Sequence, residues 1–324
     1  MTRYFLLGPT ASGKTAIALE VAPALNAEIL SMDSMLVYRG MDLGTAKPNA
    51  QELAEVPHHL IDLVPPQQEF SVARWLQNAE QIENELNQRG KNALYVGGTN
   101  LYLKALTAGL LQVPDCEPEM RLEIRREWDA EGGSDKLRRE LQEVDPQLLQ
   151  KVHPNDAQRL LRGIEVYRST GRSLSDWQSQ WQGQDRVKEP AVALNWPREV
   201  LRQRVAIRFE QMLQLGFLDE IKHIQATGGF GRTAAKALGY RQMLDHLNGS
   251  TTLEAAQQSA ITLTRTYIRR QMTWLRSFPD LQWVQMTNDE NPRSTTDVAA
   301  EVIRCLTQAT CAAPDSNSVE TCND

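Results

Sequence analysis

Gly8, Gly13, Lys14 and Thr15 have the spacing of an anion cradle. They fill the pattern G-x-x-x-x-G-K-[ST], with Pro9, Thr10, Ala11 and Ser12 between the glycines. Glycines at those places let backbone N–H groups turn inward around phosphate oxygens, and a helix starting directly afterwards adds its dipole. Lys14 supplies a point charge, and the Thr15 hydroxyl is the expected ligand for Mg²⁺. The pattern specifies phosphate and is silent about what the phosphate is attached to. Three further residues have types and positions suited to the same site. Asp33 follows "EILSM", just past a strand end, where ligands of open α/β sheets bind. Position alone leaves it three roles: Mg²⁺ ligand, helix cap, or general base facing a second substrate. Thr99 follows Gly97 and Gly98 at a strand-to-helix turn, as an N-cap or as a group of the site. Arg208 lies beside the stripe Leu201, Val205, Phe209 and Met212, from which it either reaches an anion in a pocket or snorkels to solvent.

The elements that must position these residues alternate along the first third of the chain. Tyr4 to Leu7, "AEILSMD" and "NALYVGG" read as buried strands, and "SVARWLQNAEQIENELNQRG" as an amphipathic helix ending at Gly90. Such alternation gives a parallel sheet with helices on both faces. After Leu110 only helical patterns follow, until "AVALNW" returns as a strand and Pro197 opens another helix. The expected architecture is an α/β core of residues 1–113 and 189–310, interrupted by an all-helical insertion, 114–188. Residues 311–324 lack periodicity and are expected to be a disordered tail.

Composition bounds the function. The 324 residues suggest about two domains, with 41% hydrophobic and 23% charged residues, as in soluble globular proteins. No segment approaches a membrane span, and the chain enters a strand almost at once, without a signal peptide pattern. Cys116, Cys305, Cys311 and Cys322 are scattered without C-x-x-C pairing, which argues against zinc or a disulfide framework and favours the cytoplasm. His58, His59 and His153 have no metal-ligand company. A net charge of −6 opposes indiscriminate nucleic-acid binding but not a local basic groove. Two helical stretches suggest such a groove: Arg159, Arg162, Arg168 and Arg172, then Arg265, Arg269, Arg270 and Arg276, with Tyr and Trp interleaved. Trp177 and Trp181, four apart, read as core of the insertion. No acid ends "ALYVGGTN" as in an ATPase, and no guanine-reading motif is present. A small-molecule kinase and a non-catalytic RNA-binding protein with a nucleotide sensor are the rival classes.

Seven stretches in order, "GPTASGKT", "DSMLVYRGMDLGTAKP", "HHLIDLV", "LYVGGTNLYLKAL", "HPNDAQRLLRGIEVYRSTGR", "GYRQM" and "RRQMTWLR", resemble the tRNA dimethylallyltransferase (tRNA isopentenyltransferase) family, bacterial type. The resemblance runs from Tyr4 to about Trp283. It implies a P-loop NTPase-like fold that does not hydrolyse nucleotide. A dimethylallyl group would pass from dimethylallyl diphosphate to the exocyclic amine of the adenine 3′ of the anticodon, and diphosphate would leave. For that chemistry Asp33 is the candidate base, Thr99 would bridge the reacting centre and Arg208 would meet the leaving charge; by the resemblance Asp33, Ser34, Met35 and Leu36 lie against the target nucleotide. Arg121, the stretch Gln158, Arg159, Leu160, Leu161, Arg162, and Lys236, Gly239, Tyr240 and Arg241 would hold the anticodon stem-loop. The partners implied are tRNA and the prenyl donor, with Mg²⁺ as cofactor and the enzyme a monomer. Two departures stand out: relatives often carry Gln at Leu36, and Gly where this chain has Asn100. The C-terminal zinc finger of eukaryotic members is absent.

Overall fold

The computed structural model describes residues 1–110, 113–114, 116–179, 187–288 and 291–311. It divides into two compact units, Met1–Thr107 with Arg186–Asp324, and Ala108–Asp185, where the sequence patterns set the joins at 113/114 and 188/189. Trp181, Cys322 and the expected tail from 312 onward lie outside the described residues.

In the first unit, β1 (Arg3–Leu7), α1 (Lys14–Ala24), β2 (Ala27–Met32), α2 (Ala50–Glu55), β3 (His58–His59), α3 (Val72–Gln88), β4 (Asn92–Gly97) and α4 (Asn100–Ala108) follow in order. All six strands of its sheet run parallel, in the order β3-β2-β4-β1-β5-β6, with β5 (Ala191–Asn195) and β6 (Gln282–Gln285) coming later in the chain. Strands buried on both faces need apolar runs, which Tyr4–Leu7 supplies; Ala27–Met32 is buried throughout but includes Ser31 and Glu28, the latter paired with His59 and Arg89. Helix α3 starts where the Ser71 hydroxyl accepts from Arg74 N and buries Trp75, Ala79, Glu83 and Leu86 at helical spacing. Buried Glu83 is satisfied by Arg3 (2.6 and 2.7 Å) and by the Tyr95 hydroxyl (2.8 Å).

Register sets the site. Leu7 of β1 and Met32 of β2 both pair with Gly97 of β4, and Leu7 also pairs with Ala193 of β5. The segments beginning at Gly8, Asp33 and Gly98, and a little further on Trp196, therefore leave the same carboxyl edge side by side. Glycine at 97 and 98 is a matter of space. A Cβ on Gly98 would come within 2.5 Å of Gln271 Nε2 and 2.8 Å of Gly8 O.

The second unit holds α5 (Pro118–Asp129), α6 (Gly133–Val144), α7 (Pro146–Lys151), α8 (Ala157–Thr170) and α9 (Leu174–Gln178) around its own core, centred on Leu137, Leu141, Leu160 and Ile164. Asp145, 2% exposed, accepts from Leu148 N and Ser175 N and so starts α7 and ties in α9. Trp177 packs against this core, with its indole N–H on Thr170.

The first unit resumes with β5 (Ala191–Asn195), α10 (Arg198–Gln214), α11 (Phe217–Ala226), a 3₁₀ turn (Ala234–Lys236), α12 (Tyr240–Leu247), α13 (Leu253–Leu275), β6 (Gln282–Gln285), the short antiparallel pair β7 (Thr287–Asn288) and β8 (Asn291–Pro292), and α14 (Thr295–Cys311). Strands β3 and β6 had no legible pattern. One is two residues long, and the other, "QWVQ", is polar because it forms an edge. His59 is structural: its ring contacts Glu28 (2.7 Å), which Arg89 also grips.

Candidate active site

The loop from Gly8 to Gly13 is held by its carbonyls. Lys14 Nζ donates to Gly8 O (2.9 Å) and Pro9 O (2.8 Å), Arg204 Nε to Ala11 O (2.9 Å), and the Trp196 indole to Ser12 O (2.9 Å). Ala11 and Gly13 both sit at positive φ, 64° and 86°, which turns the chain back on itself. With the oxygens engaged behind the loop, the first amides of α1 remain for an anion, because a helix start has no intrahelical partners for them. On the other side, buried Gln271 of α13 accepts from Thr10 N (3.0 Å) and donates to Gly98 O (2.9 Å), clamping the loop to the turn after β4. Arg204 lies over the Trp196 ring, 4.5 Å from its centroid. Trp196, Arg204 and Gln271 were not singled out in the sequence. Their signal was faint: Trp196 follows a strand at its carboxyl end, and Arg204 is one helical turn before Arg208.

Asp33, Lys14 and Arg208 come together. Burial pushes the Lys14 ammonium down to about 8, with the Asp33 charge opposing that shift and Arg208 adding to it. Burial likewise lowers Arg208, again against Asp33. Arg208 thus turns inward, its Nη2 donating to Thr45 O (3.3 Å), and does not snorkel. Two phenols also feel Asp33: burial first and that charge second raise Tyr102 well above its usual range and Tyr267 to about 12. Asp33 does not cap a helix. Its Oδ1 accepts from Met35 N (2.8 Å) and closes a local turn. Oδ2 makes no hydrogen bond to a described residue. Thr99 directly precedes α4, yet its hydroxyl accepts from Ser34 N (3.2 Å), 65 residues away. It ties the two strand-end loops together.

The residues expected to meet RNA divide by exposure. Gln158 and Arg159 are exposed and Arg162 half-buried, beside Asp156 and Glu165 respectively for the two arginines. Leu160 and Leu161 are 1% and 6% exposed, so their side chains pack the second unit's core. Arg168 is also withdrawn, gripped by Glu127 and Glu140 at 2.7–3.2 Å. Arg172 stacks on Trp177 at 4.9 Å, and half-exposed Arg121 lies 3.8 Å from Glu165. In the first unit Lys236 and Arg241 are exposed, whereas Tyr240 is fully buried, its hydroxyl donating to Glu220 (2.5 Å), and Gly239 at φ 88° makes the turn into α12. Ser34, Met35 and Leu36 are half-buried in the loop after β2. Arg265 donates to Arg202 O, while Arg269, Arg270 and Arg276 are exposed.

Among the described residues no three His, Cys, Asp or Glu side chains group to hold a metal. The donors at this site are the Thr15 hydroxyl and Asp33. That set suits a hard cation taking most of its oxygens from substrate phosphates and water, as Mg²⁺ does. No helix among the described residues is long and apolar enough to cross a membrane.

Comparison with known proteins agrees with this geometry. The model of the IPP transferase family matches residues 36–278, and that of an isopentenyl transferase family residues 1–63. Among solved structures, the tRNA isopentenylpyrophosphate transferase of Bacillus halodurans is 32% identical over 96% of this chain and 98% of that one, with a TM-score of 0.66. The tRNA delta(2)-isopentenylpyrophosphate transferase of Staphylococcus epidermidis is 29% identical over 95% and 100%, with a TM-score of 0.67. A eukaryotic dimethylallyltransferase acting on tRNA is 25% identical over 89% of this chain and 75% of that one, with a TM-score of 0.71. This chain belongs to the IPP transferase family, the prenyltransferases that modify tRNA.

Proposed function

We propose that the enzyme transfers the dimethylallyl group of dimethylallyl diphosphate to the exocyclic amine of the adenine 3′ of the anticodon. The single observation carrying this reading is that one carboxylate, Asp33, shares its surroundings with two partly desolvated cations, Lys14 and Arg208. An aromatic amine is a weak nucleophile, because its lone pair is delocalised into the ring. Asp33 takes the amine proton as the N–C bond forms and the C–O bond to diphosphate breaks. The electron pair of that bond leaves on diphosphate, where Lys14, Arg208 and the amides at the start of α1 meet the developing charge. Thr99 fixes the Asp33–Ser34 turn against the end of β4. Mg²⁺, held by Thr15 with the phosphates, would add charge neutralisation. The adenine must leave its stack to reach Asp33, as single-stranded loop bases do when proteins read them. Gln158, Arg159, Arg162 and Arg121 on the helical unit, and Lys236 and Arg241 on the other, supply the contacts to the loop.

Nucleoside mass analysis of tRNA after incubation with dimethylallyl diphosphate tests the reading. One added C₅H₈ mass on the adenosine 3′ of the anticodon is expected, without ATP. Modification elsewhere, or tRNA-stimulated release of phosphate from ATP, would refute it.

A further inference from the structure

Glu220 lies in the first turn of α11 and makes an arrangement that packing alone does not require. Its Oε2 accepts from Asp42 N (3.0 Å) and Leu43 N (2.6 Å), and its Oε1 from Gly44 N (3.4 Å) and the Tyr240 hydroxyl (2.5 Å). Three successive amides converging on one carboxylate form the kind of concave nest that usually receives a ligand anion. Here a side chain from elsewhere in the chain fills it. The fit is tight, since a Cβ on Gly44 would overlap the rings of Phe217 and Tyr240. The phenol stays protonated, because burial and the Glu220 charge both raise Tyr240. The next residue, Thr45, turns its hydroxyl back to Met41 O (2.6 Å) and offers its carbonyl to Arg208 Nη2. Lys47, 4% exposed at its side chain, closes the loop on Asp42 and Asp62, each at 2.5 Å.

We propose that Glu220 is a positioning residue for prenyl transfer. It fixes residues 42–45, so that the Thr45 carbonyl holds the Arg208 guanidinium toward the diphosphate. A mobile arginine would have to be ordered on binding, and a fixed one arrives already ordered. The same carboxylate accepts from the Tyr240 hydroxyl, which anchors the start of α12. This inference rests on Arg208 being a diphosphate group, and the test is arranged to separate the two claims.

Glu220→Gln keeps the size but presents an NH₂ to amide donors. Calorimetry with inorganic diphosphate, and transfer kinetics with dimethylallyl diphosphate and tRNA, are compared in wild type, Glu220→Gln, Arg208→Ala and the double variant. Glu220→Gln is expected to weaken diphosphate about tenfold, as for loss of one or two charged hydrogen bonds, with the KM for tRNA changed far less. In the Arg208→Ala background the same substitution should have almost no further effect on diphosphate, since the two act through one path. Equal effects in both backgrounds, or unchanged diphosphate affinity, overturn the proposal. An Arg208→Ala enzyme that binds diphosphate like wild type refutes instead the diphosphate role of Arg208. Should Glu220→Gln not fold, Tyr240→Phe removes one Glu220 partner and keeps the ring. A smaller loss of diphosphate affinity, also absent with Arg208→Ala, is then expected, and its presence there is the refuting result.

Discussion

Asp33→Asn tests the chemistry most directly. The side-chain carbonyl of Asn can still accept from Met35 N, as Asp33 Oδ1 does at 2.8 Å, so the turn should survive. What changes is the other position, where an NH₂ donor replaces the oxygen that would take the amine proton. Loss of a positioned base lowers turnover about 10²–10⁴-fold, about 3–5 kcal/mol of barrier. A second effect follows from the charges. Asp33 holds the Lys14 ammonium up against burial, so its removal lets Lys14 lose its proton at lower pH than about 8. Donor affinity in the variant should therefore begin to fall at lower pH than in wild type, while affinity at pH 6 changes little. Single-turnover transfer at saturating tRNA and donor, across a Mg²⁺ series, is the assay. A variant that regains a near-normal rate at high Mg²⁺ would refute the base assignment and make Asp33 a metal ligand.

Wild-type affinity for inorganic diphosphate should fall by about one log unit per pH unit above about 8. The bound anion favours charged Lys14, so binding takes up a proton once the free enzyme has lost it. Lys14→Met should bind weakly with that dependence gone, as calorimetry across pH would register. Arg159→Ala with Arg162→Ala should raise the KM for tRNA, flatten its salt dependence and leave the donor KM unchanged; equal shifts in both parameters would contradict the assignment. Arg168→Ala should instead cost about 1–3 kcal/mol of stability, between exposed and buried pairs, by leaving Glu127 and Glu140 without their shared cation. Its tRNA affinity should match wild type below the melting temperature, and a loss like that of Arg159 would show that Arg168 contacts RNA.

Most of the sheet and the phosphate loop were legible, because buried parallel strands are largely apolar and the loop needs glycine at fixed places. The edge strands β3 and β6 were not, since an edge tolerates polar residues and two-residue pairings. Within the site, Asp33, Thr99 and Arg208 could be named from their places at strand ends and at a stripe's edge, and structure brings Asp33 and Arg208 together with Lys14. Gln271, Trp196 and Arg204 escaped notice because their roles exist only in partners far along the chain, Gln271 meeting Thr10 across 261 residues. In α8, helical spacing counted arginines without telling which were exposed. Arg159 is, whereas Arg168 has two carboxylates on other helices, and Leu160 and Leu161 fill the core.

The way the loop at residues 8–13 is held sets a timetable for its use. Trp196, Arg204 and Gln271 leave the ribosome long after the loop they restrain. Until they arrive, the nascent chain has the glycines and the lysine but only bonds internal to the segment, from Lys14 and from Ser12 N to Pro9 O, to shape them. An isolated fragment ending before α13 keeps Trp196 and Arg204 but loses Gln271, so it should fold much of its sheet yet leave Thr10 untied from Gly98, and adding the missing helix in trans should strengthen its diphosphate binding. Competence to seize a prenyl donor is thereby deferred until α13 has been made.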